Sequence, residues 1–214
     1  MRCKKCDGTG ILASGAICDC GAFFENAEST VVPWVPIEYQ GSNFIPDMLP
    51  ITMRDWGETL LNLQKAILSG EDKLNYLLIA PYASGKTIWA YDTLVKLSRK
   101  GYAISDIVDM LDYRRCILSY NVEDIRFLEK VYTVPFLIVR IPTMTIPNLP
   151  SLMQSLQYKR VQNNGRTIYL YSGTYTELCN SVDKPNVLKS ILGSGTLHSI
   201  KVLNAKKGET VCNI

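Results

Sequence analysis

Apolar residues recur along this chain with two periods, and the alternation between them outlines the architecture. Over residues 55–68, Trp56, Leu60, Leu63 and Ile67 stand three or four apart, the spacing of one helical face. Ser69 and Gly70 close that helix. Residues 74–80 (Leu-Asn-Tyr-Leu-Leu-Ile-Ala) then run almost without a polar break, as a strand covered on both faces does. A helix is predicted over 85–99, stopped by Gly101. Further strands are predicted at 102–107, 135–141, 167–172 and 197–203, and further helices at 123–131, 149–163 and 186–192. Near-continuous apolar strands separated by helices indicate an α/β fold with a parallel sheet flanked by helices.

The ends of the chain follow other rules. Residues 1–22 are Gly-rich and carry no helical period, which suits a small metal-nucleated knuckle. Residues 23–50 hold Pro33, Pro36, Pro46 and Pro50 among aromatics and read as an extended connector lying on the next domain. Residues 51–214 make the main domain. No internal repeat or low-complexity tract interrupts it.

Composition changes this picture little. Hydrophobic residues make up 47% of the 214, enough for a real core. The net charge of +3 is too small to mark a nucleic-acid partner by itself. No apolar run reaches the roughly 18 residues of a membrane span, and the start, Met-Arg-Cys-Lys-Lys-Cys, lacks a signal peptide's apolar stretch. A cytoplasmic location without membrane attachment is expected.

Cysteine usage adds chemistry. Cys3, Cys6, Cys18 and Cys20 form two close pairs, whereas Cys116, Cys179 and Cys212 are scattered. A Cys-x2-Cys turn puts two thiolates on one side of a metal, and a second pair completes a tetrahedral zinc site. Gly8 and Gly10 permit the backbone to curl around it. Four cysteine ligands imply a structural Zn2+, not a catalytic one.

The strongest motif follows the first strand. Ala80-Pro-Tyr-Ala-Ser-Gly85-Lys86-Thr87 matches the phosphate-loop pattern except that Ala80 stands for its first glycine. Strand before and helix after are the context the pattern needs, because backbone N–H groups at a helix start cradle phosphate. Ser84, Gly85, Lys86, Thr87 and Ile88 are the expected contacts to ATP or ADP. Lys86 would reach the β- and γ-phosphates, and the Thr87 hydroxyl would face Mg2+.

Zinc knuckle, connector, phosphate loop and later segments together resemble the DnaC-like helicase loaders of phage or bacteria and the related IstB transposition ATPases, over nearly the whole chain. The resemblance implies an AAA+ fold, ATP and single-stranded DNA as ligands, and a hexameric replicative helicase as partner. In the family the third strand ends in acidic residues that hold Mg2+ and polarise water. Here it reads Pro135-Phe-Leu-Ile-Val-Arg140-Ile141, with Arg140 where the metal-holding aspartate would be. The fourth strand, ending Tyr171-Ser172-Gly173, keeps the family's serine and loses its asparagine sensor. Lys189, in the segment from Asn186 to Gly193, occupies the place of an arginine finger, without arginine's planar fork.

Three catalytic elements thus degrade together while the phosphate loop persists. The expectation is a loader-like replication protein that binds nucleotide, hydrolyses it poorly, and acts by contacting a replicative helicase or an AAA+ paralogue, as a homo- or hetero-oligomer. No catalytic residue is assigned. Two other readings are an active loader ATPase with its acid supplied from elsewhere, and a zinc-containing nucleic-acid-binding protein with an inert body. For DNA contact the candidates are Lys159, Arg160 and Arg166, with Tyr158, Tyr169 and Tyr171 as stacking platforms. Lys201, Lys206 and Lys207 form a weaker basic cluster. His198 has no evident partner, and Trp34, Trp56 and Trp89 read as packing residues.

Overall fold

A computed structural model describes residues 35–36, 39, 43–70, 74–180 and 200–205. In chain order these form α1 (Arg54–Ser69), β1 (Asn75–Ala80), α2 (Lys86–Arg99), β2 (Val108–Asp109), α3 (Met110–Ile117), α4 (Val122–Thr133), β3 (Phe136–Ile141), α5 (Leu149–Gln162), β4 (Arg166–Ser172), α6 (Tyr175–Asn180) and β5 (Ile200–Asn204). The sheet is five-stranded with order β2-β3-β4-β1-β5, and every pairing is parallel. β1 therefore lies inside the sheet, between β4 and β5, and all its residues are buried.

Side-chain alternation along the strands divides the core into two layers. Tyr76, Leu78 and Ala80 of β1, with Phe136 and Ile138 of β3, pack against Trp56, Leu60, Leu63 and Ile67 of α1 and Trp89, Ala90, Leu94 and Leu97 of α2. Leu77 and Ile79, with Leu137, Val139 and Ile141, face Tyr113 of α3, Val131 of α4, and Leu152, Met153 and Leu156 of α5. The helical spacing seen in the sequence of α1 is thus its buried face. Gly70 closes that helix at φ +78°. Trp89 is fully buried, and its indole N–H donates to the Leu60 carbonyl at 2.7 Å.

A polar hub joins α1 to α2. Asp92, itself buried, accepts from Gln64 at 3.0 Å and from Lys96 at 2.7 Å. The Phe44 N–H also donates to Asp92, at 3.3 Å, which anchors the segment entering the domain. That segment carries two short 3-10 turns, Pro46–Met48 and Ile51–Met53, before α1 begins.

One predicted element needs correction. The strand expected over 102–107 is only a single bridge, Ile104 to Phe136, followed by the two-residue β2. The Asp106 side chain accepts from the Ile107 N–H at 2.6 Å, a local turn that competes with ladder pairing. α3 and α6 have no counterpart among the elements the sequence predicts. The knuckle expected at 1–22 and the helix expected at 186–192 lie outside the described residues, as does most of the 23–50 connector. No described helix is long and apolar enough to cross a membrane.

Candidate phosphate-binding site

β1 delivers the chain to the C-terminal edge of the sheet, where residues 81–85 turn it into α2. Gly85 adopts φ +79°, and a Cβ there would lie 2.9 Å from both Leu49 Cδ2 and Phe44 Cε2. Only glycine satisfies both the backbone angle and that close cover. Ala83 also takes a left-handed conformation, φ +59°, which costs a non-glycine residue about 1 kcal/mol. The sequence drew attention to Ala80 instead, and an alanine in a loop gives no signal of left-handed backbone.

Helix α2 starts at Lys86 with no side-chain cap, and its first intrahelical bond is Trp89 N–H to the Gly85 carbonyl at 2.9 Å. The N–H groups of Lys86, Thr87 and Ile88 therefore have no acceptor within the helix, the arrangement that suits an anion. Thr87 and Ile88 are exposed, while Ser84 and Lys86 are buried. The Lys86 amine donates to the Ala80 carbonyl at 2.7 Å, the Pro81 carbonyl at 2.9 Å and Ser84 Oγ at 2.7 Å. All three of its protons are thus held by the loop itself. Burial lowers the Lys86 pKa to about 8. A phosphate would take over these contacts and favour the charged amine. Tyr82 stands exposed beside the loop, with its hydroxyl 3.1 Å from Thr143 Oγ1 in the segment after β3.

Arg140 occupies the fifth position of β3. Phe136 and Ile138 belong to the layer with α1 and α2, so the strand period puts Arg140 on that same face. It pairs in register with Leu170 of β4, and Leu170 with Leu78 of β1, so Arg140 lies two residue rows below Ala80. Its Nε donates to Asp109 Oδ2 at 3.0 Å, and Asp109 is its register partner on β2. The other Asp109 oxygen caps α3 by accepting from Leu111 N–H at 2.9 Å. Nearby, Tyr91 of α2 donates to Asp106 at 3.2 Å, and burial followed by the Asp106 charge holds that phenol well above its usual range.

These residues suit two ligands differently. The uncapped helix start and the Lys86 amine fit a nucleotide phosphate. They do not fit a divalent metal held in the usual way. Thr87 supplies its hydroxyl, but the strand that should add a carboxylate adds a guanidinium, and the adjacent Asp109 is already bound to it. Ser172 ends β4 half-buried.

The expected DNA-contact residues separate. Arg160 is fully buried and donates to the Val131, Tyr132, Val134 and Arg166 carbonyls and to Thr167 Oγ1. Tyr169 and Tyr171 are core residues. None of the three reaches solvent to track a phosphate backbone or stack on a base, which corrects that expectation. Arg166 is half-buried, with its guanidinium 5.7 Å from the Phe136 ring centre. Tyr158, Lys159 and Lys201 are exposed. Cys3, Cys6, Cys18, Cys20, Trp34, Lys189, His198, Lys206 and Lys207 lie outside the described residues. Among the described residues, no group of three or more cysteine, histidine or acidic side chains is placed to hold a metal ion.

No protein-family model and no curated protein matches the chain by sequence. Solved structures do match by shape. The DnaC helicase loader superposes with a TM-score of 0.56 at 17% identity, covering 78% of this chain and 99% of the loader. DnaI gives 0.55 at 13% identity over 81% and 92%, and a primosome component from Streptococcus pyogenes serotype M3 gives 0.52 at 16% over 79% and 89%. DnaA of Aquifex aeolicus, bound to AMPPCP, gives 0.51 at 11% over 77% of this chain and half of that one. At such identities the likeness is one of fold: this chain has a fold similar to those of the DnaC helicase loader, DnaI and the primosome component.

Proposed function

We propose that this chain is a helicase-loader-like DNA replication protein that binds an adenine nucleotide at Ser84, Gly85, Lys86, Thr87 and Ile88 and turns it over poorly or not at all. The observation that carries this reading is the contrast between two strand ends. β1 leads into a loop whose lysine and uncapped helix start suit a phosphate, while β3 carries at its fifth of six positions an arginine tied to Asp109, where hydrolysis would need a free acid. Phosphoryl transfer depends on neutralising and positioning charge around the γ-phosphate, and this strand gives nothing that orders a metal or a water. The protein then acts by contact, with a replicative helicase or an AAA+ partner of loader type. DNA contact, if it belongs to this function, falls to surfaces other than the buried Arg160, Tyr169 and Tyr171.

The domain plan forms part of the same proposal: a zinc knuckle over 1–22 with Cys3, Cys6, Cys18 and Cys20 as ligands, a connector over 23–50, and the nucleotide domain over 51–214. Metal analysis of the full chain purified without chelator should find about one zinc per chain, released in Cys6→Ser; protein free of zinc refutes the knuckle. For the nucleotide domain the test is steady-state phosphate release, with and without single-stranded DNA. The expected rate matches that of Lys86→Ala. Turnover near the ordinary enzyme value of about 1 per second, abolished by Lys86→Ala, would favour the active-ATPase reading instead.

A further inference from the structure

The surroundings of Arg140 bear on the form in which nucleotide arrives. A loop that takes its nucleotide as a magnesium complex relies on a hydroxyl after the lysine and a carboxylate from a neighbouring strand. Thr87 provides the first and is exposed at the opening turn of α2. In place of the second stands Arg140, on the sheet face that carries α2. Among the described residues, three aspartates around that face are committed to protein donors. Asp109 holds the Arg140 guanidinium at 3.0 Å. Asp106 holds the Tyr91 hydroxyl and the Ile107 N–H. Asp92 holds Lys96, Gln64 and the Phe44 N–H.

Resting on the nucleotide-binding reading above, we propose that this chain binds its nucleotide free of divalent metal. The bare di- or triphosphate anion is held by Lys86 and the helix start, and Arg140, fixed by Asp109, keeps a standing positive charge on the face where the metal's carboxylate would be. The pair matters as a unit. Asp109 holds the Nε of the largely exposed Arg140 at 3.0 Å across two paired strands, and Arg140 in turn occupies the carboxylate that would otherwise attract a cation. A metal-bound nucleotide brings two further positive charges into this field and gains no carboxylate ligand there. Burial raises the Tyr91 pKa, the Asp106 charge adds to it, and the Arg140 charge opposes them, in keeping with the strand period that puts Arg140 on the α2 side of the sheet.

The experiment titrates the full chain with a fluorescent ADP analogue, once with excess EDTA and once with excess magnesium. For the unaltered protein, excess magnesium converts the analogue into its metal complex and should raise the apparent dissociation constant by about threefold or more. Arg140→Asp sets a second carboxylate beside Asp109, and magnesium should then tighten binding by about tenfold or more. Arg140→Gln covers the case in which two adjacent carboxylates prevent folding: it removes the cation, frees Asp109, and should give a smaller tightening of about threefold. Binding by the unaltered protein that weakens by less than about threefold with magnesium, or improves with it, overturns this inference and leaves nucleotide binding intact. Metal-indifferent binding in both variants overturns the role of Arg140. Absence of binding in either condition, equal to Lys86→Ala, overturns the nucleotide reading itself and this inference with it.

Discussion

Raising the pH from 8 to 9 should weaken nucleotide binding about fivefold through one amine. Buried Lys86 has its pKa lowered to about 8 in the ligand-free chain. Its three protons rest on Ala80, Pro81 and Ser84 oxygens, and phosphate must replace those weaker partners. Phosphate favours the charged amine and should return its pKa to near the ordinary 10.5. About half of the free protein is then charged at pH 8 and about one-tenth at pH 9. Apparent affinity should fall about fivefold across that unit, close to 1 kcal/mol, and only about twofold between pH 7 and 8. At pH 8 binding should take up about half a proton. Titration calorimetry in two buffers of different ionisation enthalpy reads that uptake directly, and phosphate groups, with a pKa of about 6, have finished titrating by then.

Without ligand, the same group acts on folding in the opposite sense. The unfolded amine keeps its proton up to 10.5 and the folded one only to about 8. Below pH 8 the folded state therefore bears the cost of burying a charge, and that cost fades as pH rises from 8 to 10.5. Relative to Lys86→Met, the unaltered protein should gain about 3 kcal/mol of unfolding free energy across that window. Affinity flat between pH 8 and 9, together with enthalpies independent of buffer, would refute the lowered pKa of Lys86.

Other outcomes follow from the fold. Arg160→Met should destabilise the domain by about 3 to 5 kcal/mol in chemical denaturation, because four carbonyls lose their buried donor. Gly165→Ala should cost about 1 to 3 kcal/mol, since its Cβ would sit 2.6 Å from the Arg160 guanidinium carbon, which is itself fully enclosed. Ala83→Gly should stabilise the ligand-free chain by about 0.5 to 1 kcal/mol, because φ +59° strains alanine and not glycine; a loss of stability would count against the left-handed loop.

Much of the framework was legible because it is local. The face of α1, the apolar run of β1 and the strand–loop–helix around Lys86 each follow from spacing within about 15 residues. Two local signals went unread. Asp109 opens α3 as its cap. Thr174 and Glu177 form a reciprocal capping box at the start of α6, with bonds of 2.6 and 3.1 Å. Other features had no local signature. Lys-Arg at a helix end reads as solvated charge, and carbonyls distant in sequence, those of Val131, Tyr132 and Val134, help to turn Arg160 inward. Arg140 was legible as a misplaced cation, but its partner was not, because Asp109 lies 31 residues away on a strand of two residues.

The central claim, that nucleotide is held and not hydrolysed, reduces to one measurement. The chain is incubated with γ-labelled ATP, captured on a filter, and the retained label identified by chromatography. Label retained as intact ATP, and lost in Lys86→Ala, is the expected result. Retention no greater than that of Lys86→Ala, or label released as free phosphate while ADP stays bound, would contradict it.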